Sequence, residues 1–261
     1  MSTLYTERMK IEVLAEYIRN RLSLDDYVGA DVSLNGLQVG RPDKDVSKII
    51  CAVDASLETF EKAADEQADA IFVHHGLFWG KPIAITAQHY RRIAFLVEHD
   101  IALLAAHLPL DAHPELGNNA AMAKLLELSD IQPFGMYHGI PIGFRGVLPQ
   151  PMRAEEIAQQ LHLSAETGLH ILPFGKEFIE QVGMVSGGAP EEVQEAISLG
   201  LDAYITGETS HTMYPVCKEA GITMISGGHY ATEVFGVQQM AEAFSQELDL
   251  EASFIEIPTA L

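Results

Sequence analysis

Three short runs in the first half of the chain are apolar at almost every position: Lys48 to Val53 (KIICAV), Ala70 to Val73 (AIFV) and Ile101 to Ala106 (IALLAA). A strand with one solvated face alternates polar and apolar residues. Uninterrupted apolarity needs cover on both faces, which is how the strands of a parallel sheet between helices read. Helical periods occupy the intervals. Met9 to Leu22 repeats apolar residues at Ile11, Leu14, Ile18 and Leu22, and Gln88 to Glu98 reads as helix. Between them, Ser56 is placed to cap a helix through about Ala68, with Glu58 in its first turn.

The second half repeats the plan. Val182 to Ser186, Ala203 to Thr206 and Ile222 to Ser226 read as strands, separated by helices at Pro190 to Leu199 and Ser210 to Ala220. A long helix from about Thr232 to Leu248 and a strand from Ala252 to Ile257 close the chain. An offset of 133 lays Asp69-Ala70 on Asp202-Ala203 and Ala63 on Ala196. Ser129 to Pro141 holds two Pro and two Gly without a clear period and reads as the boundary. The expectation is two related α/β lobes with mostly parallel sheets, residues 1–130 and 131–261, with C-terminal elements able to pack across onto the first.

In such sheets, ligands collect where parallel strands end. AIFV runs into His74-His75-Gly76, IALLAA into His107-Leu108-Pro109-Leu110-Asp111, and ITMIS into Gly227-Gly228-His229-Tyr230-Ala231-Thr232-Glu233. His107 and Asp111 share their spacing with His229 and Glu233, at an offset of 122. From Asp69 to His107 is 38 residues and from Asp202 to His229 is 27, so the first half carries 11 more, which Leu77 to Ala87 accommodates. Imidazole and carboxylate donors suit Zn, Mn, Fe, Ni or Co. Four histidines and two carboxylates exceed the needs of one ion and suggest two metals sharing a carboxylate. His113, His138, His162 and His170 read as ordinary loop residues, and His99 suits the end of its helix.

Other features stay open at this level. Ser186-Gly187-Gly188 could cradle a phosphate at a helix start or form a plain tight turn. Trp79 could stack on a purine, wall a pocket or pack within its loop. Glu208 and His211 could move a proton, or the segment Glu208-Thr209-Ser210 could cap the next helix. Cys51 and Cys217 read as core thiols.

Composition excludes several classes. With 261 residues, 48% apolar and 20% charged, the chain is neither disordered nor fibrous. Its longest uncharged apolar run, Ile101 to Leu110, is half of the ~20 residues a membrane span needs. Glu7, Arg8 and Lys10 interrupt the only place for an apolar leader, and two cysteines make no disulfide framework, so a cytoplasmic location is expected. A net charge of −21 repels nucleic acid and anionic membranes and solvates the surface.

His74-His75-Gly76, the run HLPLDAHPELGNNA (His107 to Ala120), ITGE (Ile205 to Glu208) and GGHYATE (Gly227 to Glu233) resemble the Nif-three-like family, whose members are named as type 2 homologues of GTP cyclohydrolase I. The likeness runs from NGLQVG (Asn35 to Gly40) to FIEIP (Phe254 to Pro258), without the inserted domain some members carry. The resemblance implies interlaced α/β domains, a ring-shaped homohexamer and a dinuclear metal centre facing the ring's interior. Carried over by position, the metal ligands fall on His74, His75, Asp111, His229 and Glu233, with Glu233 the bridge and His107 lining the site. The expected function is hydrolysis by a metal-activated water, with His107 or Glu208 moving the proton and a purine nucleotide such as GTP, or a phosphoester, as substrate. The alternative is a metal-storage, metal-delivery or regulatory scaffold without turnover.

Overall fold

The computed structural model describes residues 9–261, so Glu7 and Arg8 lie outside the described residues. In chain order the first elements are α1 (Ile11–Arg21), β1 (Gly36–Val39), β2 (Lys48–Asp54), α2 (Leu57–Asp65), β3 (Ala70–His75), α3 (Ala87–Glu98) and β4 (Ala102–Ala105). There follow α4 (Leu108–Ala112), α5 (Asn118–Leu125), β5 (Ser129–Tyr137), β6 (Ile140–Met152), α6 (Ala154–Gln160), β7 (His170–Pro173) and β8 (Ile179–Met184). The chain ends with α7 (Val193–Ser198), β9 (Ala203–Thr206), α8 (Met213–Ala220), β10 (Thr223–Ser226), α9 (His229–Leu248) and β11 (Glu251–Phe254). They form two compact units, one of residues up to 107 plus 237–257, the other of 108–236 plus 258–261.

The first unit holds a five-stranded sheet in the order β1-β4-β3-β2-β11, in which β4, β3, β2 and β11 are parallel and β1 runs against β4 at the edge. Alternation along the strands sends Ile50, Ile71, Val73 and Leu103 to one face, where Phe60 of α2 and Leu96 of α3 cover them. Phe72 points to the other face and meets Phe244 of α9 edge-on at 5.5 Å. Ser56 caps α2 as its position suggests, its Oγ accepting the Thr59 N–H at 3.0 Å.

The second unit has a six-stranded sheet, β5-β6-β8-β9-β10-β7. Its middle strands β8, β9 and β10 are parallel, with antiparallel strands on both sides. Ser129 to Pro141, which reads as a boundary, is instead most of a hairpin: β5 pairs with β6 through a turn at His138 and Gly139, both with positive φ. Pro133 is tolerated because β5 is an edge strand, where a missing N–H costs no ladder bond, and Pro141 is the second residue of β6, beside the turn.

The repeat is real but shifted by one from its sequence reading. Ala70 of β3 pairs with Ala102 of β4, and Ala203 of β9 pairs with Thr223 of β10. Asp69 to Ala102 is 33 residues and Asp202 to Thr223 is 21, so the first unit carries 12 extra residues, not 11. By ladder register His107 therefore corresponds to Gly228, and the match of His107-x-x-x-Asp111 to His229-x-x-x-Glu233 is not a structural equivalence. The repeat also includes an element without a sequence signal: β1 beside β4 and β7 beside β10 are both antiparallel edge strands.

Candidate metal centre

The first unit collects three of the expected residues. His74 and His75 end β3, and His107 follows β4, so the parallel register brings all three to one sheet edge. One ring nitrogen from each lies within 4.8 Å of the others. Every ring is held through Nδ1. That of His74, fully buried, donates to the Ala106 carbonyl at 3.0 Å. That of His75 donates to Asp54 Oδ1 at 2.8 Å, and that of His107 to Asp31 Oδ1 at 2.9 Å. A ring whose Nδ1 carries the donated proton keeps its Nε2 lone pair for a metal, the usual second layer of such sites.

Asp31 is itself fixed by the Ser33 N–H and the Asn35 amide, while the Asn35 Oδ1 takes the His107 N–H. Burial alone would raise its pKa, but the His107 ring and these donors outweigh it and hold the carboxyl below its ordinary value. Trp79 walls this cluster. Its ring stands edge-on to His107 at 4.9 Å and 5.8 Å from His75, while its N–H donates to the Gly76 carbonyl at 3.0 Å.

The second unit holds His229 and the two expected carboxylates, Asp111 and Glu233. Helix α9 begins at His229, three residues earlier than the sequence suggests, so His229 and Glu233 stand one turn apart on one face. His229 Nε2 and Glu233 Oε2 are 3.1 Å apart. Two donors bound to one ion at ~2.1 Å each stand ~3.0–3.4 Å apart for bond angles between ~90° and ~109°, so the pair has chelating geometry. The His229 Nδ1 donates to Glu208 Oε1 at 2.5 Å. Glu208 thus orients His229 and does not cap α8, whose first turn has no side-chain cap. Burial lowers the His229 pKa, but Glu233 and Glu208 override it and push it up to about 9.

Asp111, in α4, is 4% exposed and Glu233 3%, and their carboxylates come within 4.8 Å of each other. Two buried carboxylates this close need positive charge beside them or a proton between them. Asp111 is positioned by residues the sequence reading left unassigned: the Asn118 amide at 2.9 Å and the Ser186 hydroxyl at 2.7 Å both donate to its Oδ1. Asn118 also accepts the Gly236 N–H, and Asn119 accepts that of Ser186.

Gly187 settles the reading of its loop. Its N–H donates to Thr232 Oγ1, and a Cβ there would stand 2.1 Å from Glu233 Oε1. The turn is glycine because it packs against Glu233 and His229, and its amide is already engaged rather than offered to a phosphate. The helix behind it opens with a 3-10 turn, Pro190–Glu192, before the six residues of α7.

Several residues stay apart from this chemistry. His211 is exposed. His138 and His162 occupy positive-φ turn positions, and the His113 ring accepts the N–H groups of Glu115 and Leu116 within its own loop. His99 closes α3, its Nδ1 donating to the Phe95 carbonyl. Cys51 and Cys217 are fully buried. Among the described residues no helix is long and apolar enough to cross a membrane.

Known proteins agree with this architecture. A Deinococcus radiodurans protein named GTP cyclohydrolase 1 type 2 homolog is 43% identical over 251 residues, covering 95% of this chain and 92% of that protein. An Archaeoglobus fulgidus protein of the same name is 42% identical, covering 95% and 99%. The crystal structure of TTHA1606 from Thermus thermophilus superposes with a TM-score of 0.87 at 36% identity, covering 97% of this chain and all of the other. Residues 9–260 match the profile of a single family. The chain belongs to the Duf34/NIF3 (NGG1p interacting factor 3) family.

Proposed function

We propose that this protein is a hydrolase dependent on two divalent metal ions, held by His74, His75, Asp111, His229 and Glu233, with Glu233 as the bridge. One observation carries the reading: Glu233, almost wholly buried, sits within chelating distance of His229 and beside the equally buried Asp111. The donor set suits Zn, Mn, Fe, Ni or Co. Ions bound there supply a water of lowered pKa and polarise the substrate.

The chain's own groups do the rest. The Ala106 carbonyl and Asp54 hold the rings of His74 and His75, Glu208 holds His229, and Asn118 with Ser186 holds Asp111. His107 and Glu208, at the margins of the two ligand sets, would move the proton, and Trp79 packs against the rings of His75 and His107. The names of the relatives make GTP the first substrate to try, and a phosphoester suits the same centre. A cytoplasmic homo-oligomer, a hexameric ring by family resemblance, completes the proposal.

The test is hydrolysis of GTP, other nucleotides and model phosphoesters by the purified protein before and after chelation. Turnover that is lost on chelation and returns with metal supports the hydrolase. Bound metal with no turnover on any of them overturns it in favour of a metal-handling scaffold.

A further inference from the structure

Two asparagines fix the direction of the hydrogen bonds around Asp111. Asn118 Oδ1 accepts the Gly236 N–H at 2.6 Å, and Asn119 Oδ1 accepts the Ser186 N–H at 2.9 Å. A backbone N–H only donates, so each amide must present its oxygen at that end and its nitrogen at the other. Asn118 Nδ2 then donates to Asp111 Oδ1 at 2.9 Å. Asn119 Nδ2 donates to Ser186 Oγ at 3.2 Å, and also to the backbone carbonyls of Asp111 and Ile142. A hydroxyl carries one proton. Because Asn119 donates to it, Ser186 Oγ sends its own proton to Asp111 Oδ1, 2.7 Å away. Asp111, Asn118, Asn119 and Ser186 are all buried, so no water competes for these bonds.

A carboxylate oxygen has two lone-pair sites, and at Asp111 Oδ1 two donors occupy them. We infer that Ser186 determines which metal ions the site prefers: with Asn118 it confines Asp111 to binding through one oxygen, Oδ2, and so disfavours ions that draw on both. The inference rests on the metal centre proposed above. It bears most on Mn²⁺ against Zn²⁺. Imidazoles suit Zn²⁺, which completes a small shell with single-atom donors, whereas Mn²⁺ is the ion of the proposed set best served by carboxylate oxygen. To chelate Mn²⁺ with both oxygens, Asp111 must give up a charge-assisted hydrogen bond, and a bond of that kind disfavours the chelated mode by about tenfold or more.

The experiment measures Zn²⁺ and Mn²⁺ affinities by competition with a chelating dye, for the wild type, Ser186→Ala and Ser186→Thr, with circular dichroism to follow the fold. In Ser186→Ala, which opens Oδ1, the ratio of the two affinities should move towards Mn²⁺ by about tenfold. Ser186→Thr keeps the hydroxyl and should keep the wild-type ratio. A hydroxyl that only braced the fold would weaken both ions alike, so an unchanged ratio in Ser186→Ala overturns the inference and leaves the metal centre standing. A second measurement needs no variant. Asp111 is the only aspartate among the proposed ligands, so infrared difference spectra of wild-type protein carrying ¹³C-carboxyl aspartate report on it when Zn²⁺ is added. A wide separation of its two carboxylate stretches is expected for binding through one oxygen, and a narrow one, the mark of chelation, overturns the inference. A wild type that binds neither ion overturns the centre and the inference together.

Discussion

Asp69 and Asp202 perform the same structural task in the two units. Each precedes the central strand of its sheet, and each directs one carboxylate oxygen at consecutive backbone N–H groups that open the neighbouring strand: Ser47 and Lys48 for Asp69, Glu180 and Gln181 for Asp202. Each also pairs with a lysine a few residues upstream of that strand, Lys44 or Lys176. The same clip ties the same two strands in both halves, which is stronger support for an internal repeat than any run of matching letters.

The clip is charged, so its strength depends on pH. Burial would raise both pKa values, but the N–H donors and lysines prevail and lower them. A depressed folded-state pKa stabilises above the unfolded value of ~3.9 and loses that contribution as pH falls through the folded value. Asp202→Ala is expected to cost ~2 kcal/mol at pH 7 in urea unfolding, as loss of charged hydrogen bonds does. The gap between variant and wild type should narrow below about pH 4 and stay constant from pH 6 to 8.

Gly187→Ala should damage both fold and site. The new methyl would stand 2.1 Å from Glu233 Oε1 at a residue with φ of +66°, so loss of bound metal should accompany destabilisation. Gly139→Ala is the control: its φ is +86° with nothing within 4 Å, so only backbone strain of ~1–2 kcal/mol is expected, with metal retained. Elemental analysis and thermal melts of both variants distinguish a ligand contact from simple strain.

The carboxylates behind the histidines should matter nearly as much as the ligands. Asp54→Ala removes the acceptor that orients His75, and metal affinity should fall ~10–100-fold, measured by competition with a chelating dye. Unchanged affinity would mean that His75 binds no metal.

Trp79, the only tryptophan, is a built-in reporter on the histidine cluster. Titrating divalent metal into chelator-treated protein should change its emission, with an amplitude that shrinks in His75→Ala. A flat titration would place the metal away from this cluster.

The sequence made some of this legible and hid the rest for definite reasons. The apolar runs around Ile50, Ile71 and Leu103 announce a covered parallel sheet because both faces of each strand are buried. The edge strands β1, β5 and β7 carry no such signal, since half of their surface meets water and β5 contains Pro133. Histidines at strand ends stand out because few residue types can replace them. Their holders Asp31 and Asp54 look like ordinary loop or strand-end acids, and lie 76 and 21 residues from the rings they orient. Asn118 and Asn119 fall within a long family motif, yet their role becomes visible only when α5 and the loop at Ser186 meet Asp111. The His-x-x-x-acid spacing recurs at an offset of 122 while the strand ladders run at 121, so the matching letters are one residue out of register with the repeat.

Elemental analysis of the wild type and of Glu233→Ala tests the central claim most directly. The account predicts about two divalent metals per chain for the wild type and none for the variant, with the fold intact. Wild-type protein that binds no divalent metal, or a variant that keeps the full complement, would contradict it.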